Sequence, residues 1–158
     1  MNHMTSKVSP IPPGFHTLTP YLVCRGAAAA IEFYGRAFGA EAYERMSGPD
    51  GKLMHAMIKI GDSPVFLTDE FEEQGARSPQ SLGGSPISLF VFVPDVDALF
   101  ARAVAAGAQP LKAPTDMFWG DRWGMLADPF GHVWQIATRK EEVSREEMGR
   151  RMQQQSGH

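Results

Sequence analysis

The segment Phe118–Gly124 concentrates the side chains that are best suited to binding a small molecule. It reads FWGDRWG, so Trp119, Asp121, Arg122 and Trp123 follow one another closely. Indole rings stack on planar ligands, and a guanidinium fork binds carboxylate or phosphate. Its two glycines favour a β-bulge that would let all four side chains border one cavity mouth, with Arg122 facing an anionic group. The alternatives are core or interface packing for the tryptophans and a structural ion pair for Asp121 and Arg122.

Histidines are the other candidates, because their charge changes near neutral pH. His55 lies in the apolar run Leu53–Ile60, where strand alternation places it on one face. It is a candidate general base, and the alternative is a satisfied structural histidine. His16 has the same ambiguity, and His132 is expected to close the turn that ends at Gly131.

Composition excludes several classes of function. The 158 residues are 43% hydrophobic and 21% charged with a net charge of −3, which is typical of a globular domain and argues against nucleic-acid binding. No apolar run approaches the roughly 18 residues of a membrane helix. Phosphate-cradling glycine loops, nucleophile elbows and CxxC motifs are also missing. The single cysteine, Cys24, cannot form an internal disulfide, and we expect a cytoplasmic protein.

The elements that must position these residues occur twice. The apolar runs Leu18–Cys24 and Ile87–Val93 are typical of strands, and each precedes a helix with one apolar face. Glycines 39 and 107 mark the two helix ends, and Asp95 is the expected N-cap of the second helix. The predicted apolar faces consist of Ala27, Ile31, Tyr34 and Phe38, and of Val96, Leu99, Phe100, Ala103 and Val104.

Further strands follow each helix. In the first half, two glycine-containing turns separate Tyr43–Met46, Leu53–Ile60 and Val65–Thr68. In the second half, the DPFG turn at residues 128–131 leads into the strand His132–Ala137. The repeated order of strand, helix and three strands predicts an α+β fold of two modules.

These patterns divide the chain into five segments. They are a flexible N-terminal arm (1–14), a first module (15–70), a connector (71–86), a second module (87–138), and a charged C-terminal helix and tail (139–158). The connector is longer than a tight turn, which is typical of lids and linkers. Ser144 and Glu147 fit a capping box at the start of the terminal helix.

Five short stretches carry a resemblance to a known family: YLV (21–23), AIEFY (30–34), AFGA (37–40), GDR (120–122) and DPFGHVW (128–134). They resemble the vicinal oxygen chelate superfamily, which holds glyoxalase I, bleomycin-resistance proteins and extradiol dioxygenases. The resemblance covers about Phe15–Thr138 and is closest to bacterial glyoxalase-like proteins of unassigned function. It implies two βαβββ modules whose sheets form half-barrels around a cavity, and a homodimer.

Enzymes that this sequence resembles usually hold a divalent metal through His, Glu or Gln on the first and last strands of each module. The corresponding positions fall at Thr19, within 65–67, at Ser88 or Phe90, and at Gln135. Of these side chains only Gln135 could ligate a metal, and weakly. We therefore expect no metal and no other cofactor.

The main hypothesis is a metal-free small-molecule binding protein of the glyoxalase/bleomycin-resistance type, which sequesters or carries an organic ligand in an aromatic-lined cavity. The alternative is a metal-dependent or acid–base enzyme of the same superfamily (a lyase, isomerase or dioxygenase), with His55 as a catalytic candidate. A structural or regulatory dimer without a ligand is a third hypothesis. We expect a small organic ligand and a homodimer as partners, and neither nucleic acid nor membrane. The expected ligand-binding residues are Trp119, Asp121, Arg122, Trp123, Phe90, Gln135 and His55.

Overall fold

The structure is a computed structural model that describes residues 7–156; residues 1–6 of the predicted arm and 157–158 of the tail lie outside the described part. The first module comprises β1 (Tyr21–Cys24), α1 (Ala27–Phe38), β2 (Glu41–Ser47), β3 (Leu53–Ile60) and β4 (Ser63–Asp69). The connector contains a 3-10 turn (Glu72–Gln74) and the short helix α2 (Pro79–Leu82). The second module comprises β5 (Ser88–Phe92), α3 (Val96–Ala106), β6 (Gln109–Asp116), β7 (Asp121–Ala127) and β8 (Val133–Arg139), and α4 (Arg145–Ser156) follows.

The two sheets have the same topology. Their strand orders are β1-β4-β3-β2 and β5-β8-β7-β6, and the first and last strand of each module pair in parallel while the other neighbours are antiparallel. The predicted α+β fold with two βαβββ modules is therefore confirmed. No helix within residues 7–156 is long and apolar enough to cross a membrane.

The hydrophobic core is shared between the modules. Helices α1 and α3 pack against each other, and the indole of Trp134 on β8 lies 4.7 Å from the Phe38 ring of α1. The predicted apolar face of α1 is buried as a whole. On α3, Val96 and Ala103 are buried but Val104 is 36% exposed. The prediction for Val104 is wrong because each helical residue turns by about 100°, which carries Val104 past the edge of the stripe that Ala103 belongs to.

The last strand of each module also caps the helix of that module. The carboxylate of Asp69 accepts hydrogen bonds from the backbone amides of Gly26 and Ala27 at 3.0 and 2.8 Å. At the equivalent place, the hydroxyl of Thr138 accepts from the Val96 amide at 2.8 Å. These contacts satisfy amides that have no partner inside the helix, and they fix each helix on its own sheet.

The connector and the C-terminal helix are each fixed to the modules by polar contacts. At the end of the first module, the Glu70 carboxylate accepts from the Ser78 amide of the connector at 2.7 Å and from Arg25 at 3.2 Å. In the tail, the predicted N-cap Ser144 accepts from the Glu147 amide at 3.1 Å. Arg151 of α4 donates to the Phe118 carbonyl at 3.0 Å, which fixes α4 against the turn between β6 and β7.

Candidate functional site

One side of the second sheet carries most of the aromatic residues that the sequence singles out. Phe90 pairs with Gln135 across β5 and β8, and Gln135 pairs with Met125 across β8 and β7, so these side chains share one side. The opposite side carries Trp134 and Ile136, which are buried against the helices. We call the outward side the module-2 face; it comprises Ser88, Phe90, Phe92, Trp123, Met125 and Gln135.

The Gln135 amide on this face is locked by two neighbours. The indole Nε1 of Trp123 donates to Gln135 Oε1 at 3.0 Å, and Gln135 Nε2 donates to the Ser88 hydroxyl at 2.7 Å. This chain of bonds holds the Trp123 ring in one orientation at the centre of the face. The resemblance grouped Ser88 and Gln135 among the expected ligand positions, but their hydrogen bond was not predicted, because it depends on the parallel pairing of β5 and β8.

The donor set at the positions expected from the superfamily does not fit a divalent metal. Ser88 and Gln135 are engaged with each other, and the equivalent position on β4 is the phenyl ring of Phe66. Within residues 7–156, no group of three or more His, Cys, Asp or Glu side chains is placed to hold an ion. A single neutral amide and hydroxyl supply neither the charge nor the ligand number that such ions require.

Trp119 and Asp121 lie at the end of the module-2 face, next to the turn between β6 and β7. Trp119 Nε1 donates to Asp121 Oδ2 at 3.0 Å, and the Trp119 ring meets the Trp123 ring edge-on at 6.1 Å. The ammonium group of Lys112 lies 5.7 Å from the centre of the Trp123 ring. The structure therefore brings together Trp119, Asp121, Trp123, Phe90 and Gln135 along one face.

Arg122 does not join them, and the prediction that it faces an anionic ligand group needs correction. Its Nε and Nη2 atoms donate to the two carboxylate oxygens of Asp97 at 2.8 and 3.0 Å, and Nη1 donates to Asp116 at 3.2 Å. These bonds lower the pKa of Asp97 and raise that of Arg122. The Arg122 guanidinium therefore forms a structural ion pair, as in the alternative interpretation. Its partners are Asp97 and Asp116 and not Asp121.

The backbone explains why the four side chains separate. From Asp121 onward β7 pairs with β8 residue by residue, so Arg122 points to the side opposite Asp121 and Trp123. The predicted bulge at Gly120 and Asp121 is wrong. Gly120 has a positive φ of +104°, but it belongs to the turn that precedes the strand.

His55 lies on the outward side of the first sheet, apart from the module-2 face. Its Nδ1 is hydrogen bonded to the hydroxyl of Tyr21 at 2.8 Å, and the Phe66 ring packs 4.8 Å from the imidazole and 5.5 Å from the Tyr21 ring. Burial raises the pKa of Tyr21 above the ordinary tyrosine value. We call Tyr21, His55, Met57 and Phe66 the module-1 face. Tyr21 and Phe66 escaped the sequence analysis because the pairing of β1 with β4 cannot be read from either strand alone.

Two concave regions adjoin these faces. A groove of about 820 Å³ runs between the turn from β3 to β4 and strand β5, and Phe90 and Phe92 line it. A second cavity of about 590 Å³ lies under the start of the connector, against Tyr21 and Phe71. Both volumes fall within the range of about 300–1,000 Å³ that is usual for small-molecule sites.

The repeated modules and the placement of the two faces define the class of protein. A family model for the Glyoxalase/Bleomycin resistance protein/Dioxygenase superfamily matches residues 14–136, and the chain belongs to this superfamily. The uncharacterized protein Rv0887c of Mycobacterium tuberculosis is 45% identical over 141 residues, which cover 87% of this chain and 83% of the relative.

Solved structures share the same fold. TioX from Micromonospora sp. ML1 superposes with a TM-score of 0.62 at 26% identity, covering 78% of this chain and 98% of that protein. A glyoxalase/bleomycin resistance protein/dioxygenase family enzyme from Burkholderia phytofirmans PsJN superposes with a TM-score of 0.61 at 24% identity, covering 75% and 94%.

Proposed function

We propose that the protein is a metal-free small-molecule binding protein of the glyoxalase/bleomycin-resistance type. The observation that carries the proposal is the hydrogen-bonded set of Ser88, Gln135 and Trp123. The polar groups of Ser88 and Gln135 are bonded to each other, so they are engaged within the protein. Through Gln135 they also hold the Trp123 indole in a fixed orientation. A rigid aromatic surface supports stacking of a planar ligand at low entropic cost.

The module-2 face carries a lysine beside Trp123 and a carboxylate that is bonded to Trp119, and a planar acid that meets the lysine is the ligand class we propose. Arg122 is held by two carboxylates, whereas the exposed Lys112 has its ammonium group 5.7 Å from the centre of the Trp123 ring. A carboxylate on a ligand that stacks on Trp123 would meet this ammonium group at the rim of the face. Phe90 and Phe92, with rings 4.9 Å apart, extend the apolar surface towards the groove beside β5.

We further propose that the protein forms a homodimer. Tyr21, Phe90 and Phe92 are 50%, 44% and 66% exposed in the single chain, although each belongs to an apolar sheet face. Exposed apolar rings on sheet faces favour association, and a second copy would cover the part of these faces that a bound ligand leaves exposed. Light scattering tests this proposal, and a monomer at micromolar concentration contradicts it.

Titration calorimetry with 2-naphthoate tests the binding proposal. We expect the parent protein to bind, and Trp123→Leu to weaken binding by about two- to tenfold, because an aromatic contact contributes about 0.5–1.5 kcal/mol beyond its buried area. Tyr43→Leu is the matched control, since Tyr43 is 54% exposed on β2 of the other module. Equal affinities of the parent and Trp123→Leu, or binding that needs an added divalent metal, contradict the proposal.

The hydrogen bond between Tyr21 and His55 favours an acid–base enzyme as a second candidate. The Tyr21 hydroxyl at 2.8 Å orients the imidazole through Nδ1, which leaves Nε2 as the nitrogen able to exchange a proton with a ligand. Such an enzyme would exchange an acidic C–H of its bound ligand with deuterium from the solvent. Exchange by the parent that is lost in His55→Gln supports this candidate, whereas no exchange leaves binding as the function.

A further inference from the structure

We infer that the cavity under the connector is a second ligand site, for an apolar molecule that carries a cationic amine. We call it the connector cavity. It holds about 590 Å³ and is built from the first module and the connector alone. It therefore does not depend on the module-2 face, and either site can fail without the other. Its lining consists of Tyr21, Val23, Gly48, Pro49, Asp50, Met54, Thr68, Phe71, Gln74 and Ala76.

Both loops that form its walls are closed by their own hydrogen bonds. On one side the backbones of Phe71 and Ala76 bond to each other in both directions, at 2.9 and 3.1 Å, around the 3-10 turn. On the other side the Gly48 amide donates to the Lys52 carbonyl at 2.8 Å and closes the turn between β2 and β3. The walls are thus preformed, and a ligand would not bear the entropic cost of ordering them.

The charge of the lining selects the ligand. Asp50 is the one charged residue among the lining positions, and no Lys or Arg is among them. Its Oδ1 atom accepts from the Lys52 amide at 3.1 Å, which fixes the carboxylate at the rim and leaves Oδ2 for a ligand. A carboxylate in an otherwise uncharged lining favours a cation over an anion.

The aromatic walls attract the same kind of group. The ammonium group of Lys52 lies 5.4 Å from the centre of the Phe71 ring, so this ring already interacts with a cation in the structure. Lys52 itself is not among the lining residues. A ligand amine at the rim would meet Asp50 and Phe71 together, in competition with Lys52, while its apolar part contacts Val23 and Met54.

Calorimetry with three probes of matched shape tests the charge preference. The probes are 2-phenylethylamine, 2-phenylethanol and 3-phenylpropionate at pH 7. We expect the amine to bind most tightly, the alcohol more weakly and the acid most weakly. If the acid binds as tightly as the amine, or if the amine does not bind, the inference is overturned.

Variants locate the site. Asp50→Asn keeps the acceptor for the Lys52 amide and should weaken amine binding by up to about fivefold without changing alcohol binding, as for an exposed ion pair. Lys52→Met should strengthen amine binding, because it removes the competing cation. Asp62→Asn, with the same charge change in the turn at the other end of β3, should change neither.

A blocking variant separates this cavity from any other amine site. Ala76→Phe fills space beside Phe71 and should abolish amine binding while 2-naphthoate binding at the module-2 face is unchanged. Circular dichroism shows whether the variant is folded. Amine binding that survives both Asp50→Asn and Ala76→Phe in folded protein refutes the connector cavity as the site.

Discussion

The hydroxyl of Tyr34 donates a 2.5 Å hydrogen bond to Oδ2 of Asp128, and this bond joins the helix of the first module to a turn of the second. The same carboxylate accepts from the Trp134 indole at 2.9 Å, and its other oxygen accepts from the amides of Phe130 and His132. Asp128 thus shapes the DPFG turn and anchors α1 with one side chain. This contact is a polar link within the core that the two modules share.

We expect Tyr34→Phe to lower the free energy of unfolding by about 1–3 kcal/mol, because it removes a donor from a buried carboxylate. Urea denaturation measures the change. Tyr43→Phe is the control, since the Tyr43 hydroxyl donates only to the exposed Glu41 side chain and its loss should have little effect. Equal midpoints for Tyr34→Phe and the parent would show that the bond contributes nothing.

The thiol of Cys24 should be unreactive in the folded protein. It is fully buried, and burial, reinforced by the nearby carboxylates of Asp128 and Asp69, raises its pKa to about 12. Since the thiolate is the reactive form, a thiol reagent at pH 8 should label Cys24 only as fast as the protein opens. Rapid labelling in the absence of denaturant contradicts this expectation, and full labelling in urea is the positive control.

Sequence patterns predicted the elements whose signals are local. The strand Leu53–Ile60 was predicted with the bounds that the structure shows, and the first helix ends before Gly39 as predicted, because turns and a glycine delimit them. Strands β6 and β7 were not located. In β6, Pro110 and Pro114 obscure the strand pattern, and the structure accommodates them because β6 is an edge strand.

The partners of the candidate site residues depended on register, which the sequence alone does not reveal. Arg122 meets Asp97 on α3, 25 positions earlier, and Gln135 meets Ser88, 47 positions earlier. The alternation of residues along β7 was sufficient to separate Arg122 from Trp123, provided that the strand is regular. The predicted bulge at Gly120 led to the opposite conclusion, because a glycine with positive φ fits a turn as well as a bulge.

Glu70 should make stability depend on pH in the acid range. Hydrogen bonds from Ser78 and Ser81, and then from Arg25, lower its pKa from 4.5 to about 2. A carboxyl with a lowered folded-state pKa stabilises the protein fully above its unfolded pKa, and this contribution is lost as the pH falls from about 4.5 to about 2.

Urea denaturation of the parent and Glu70→Gln between pH 7 and pH 2 measures this contribution. The difference between the two proteins should be constant above about pH 5 and should shrink at lower pH. Glu73→Gln, which changes an exposed carboxyl on the adjacent 3-10 turn, is the control. A difference that does not change with pH would exclude titration of Glu70 as its source.

Gly120 should tolerate no side chain. Its φ is +104°, and a Cβ atom would lie 2.6 Å from the Glu141 carbonyl oxygen, in the segment that leads to α4. We expect Gly120→Ala to destabilise the protein by about 1–3 kcal/mol or to displace that segment. Gly51→Ala has a similar positive φ of +81° but meets no atom within 4 Å, so it measures backbone strain alone. Equal losses in the two variants would show that the Glu141 contact has no effect.

Protein purified without chelators should hold no stoichiometric zinc, nickel, manganese or iron. One expected ligand position holds the phenyl ring of Phe66, and two others hold Ser88 and Gln135, which are hydrogen bonded to each other. An incoming ion would have to break the hydrogen bond between Ser88 and Gln135. It would gain only neutral donors in return. Elemental analysis after incubation with each metal measures the content. The double variant Ser88→His with Gln135→Glu supplies an imidazole and a carboxylate at the same positions, and it should bind more metal than the parent. An ion held by three or more side chains of the parent at the sheet faces would overturn the metal-free assignment and restore the enzyme hypotheses that depend on a metal.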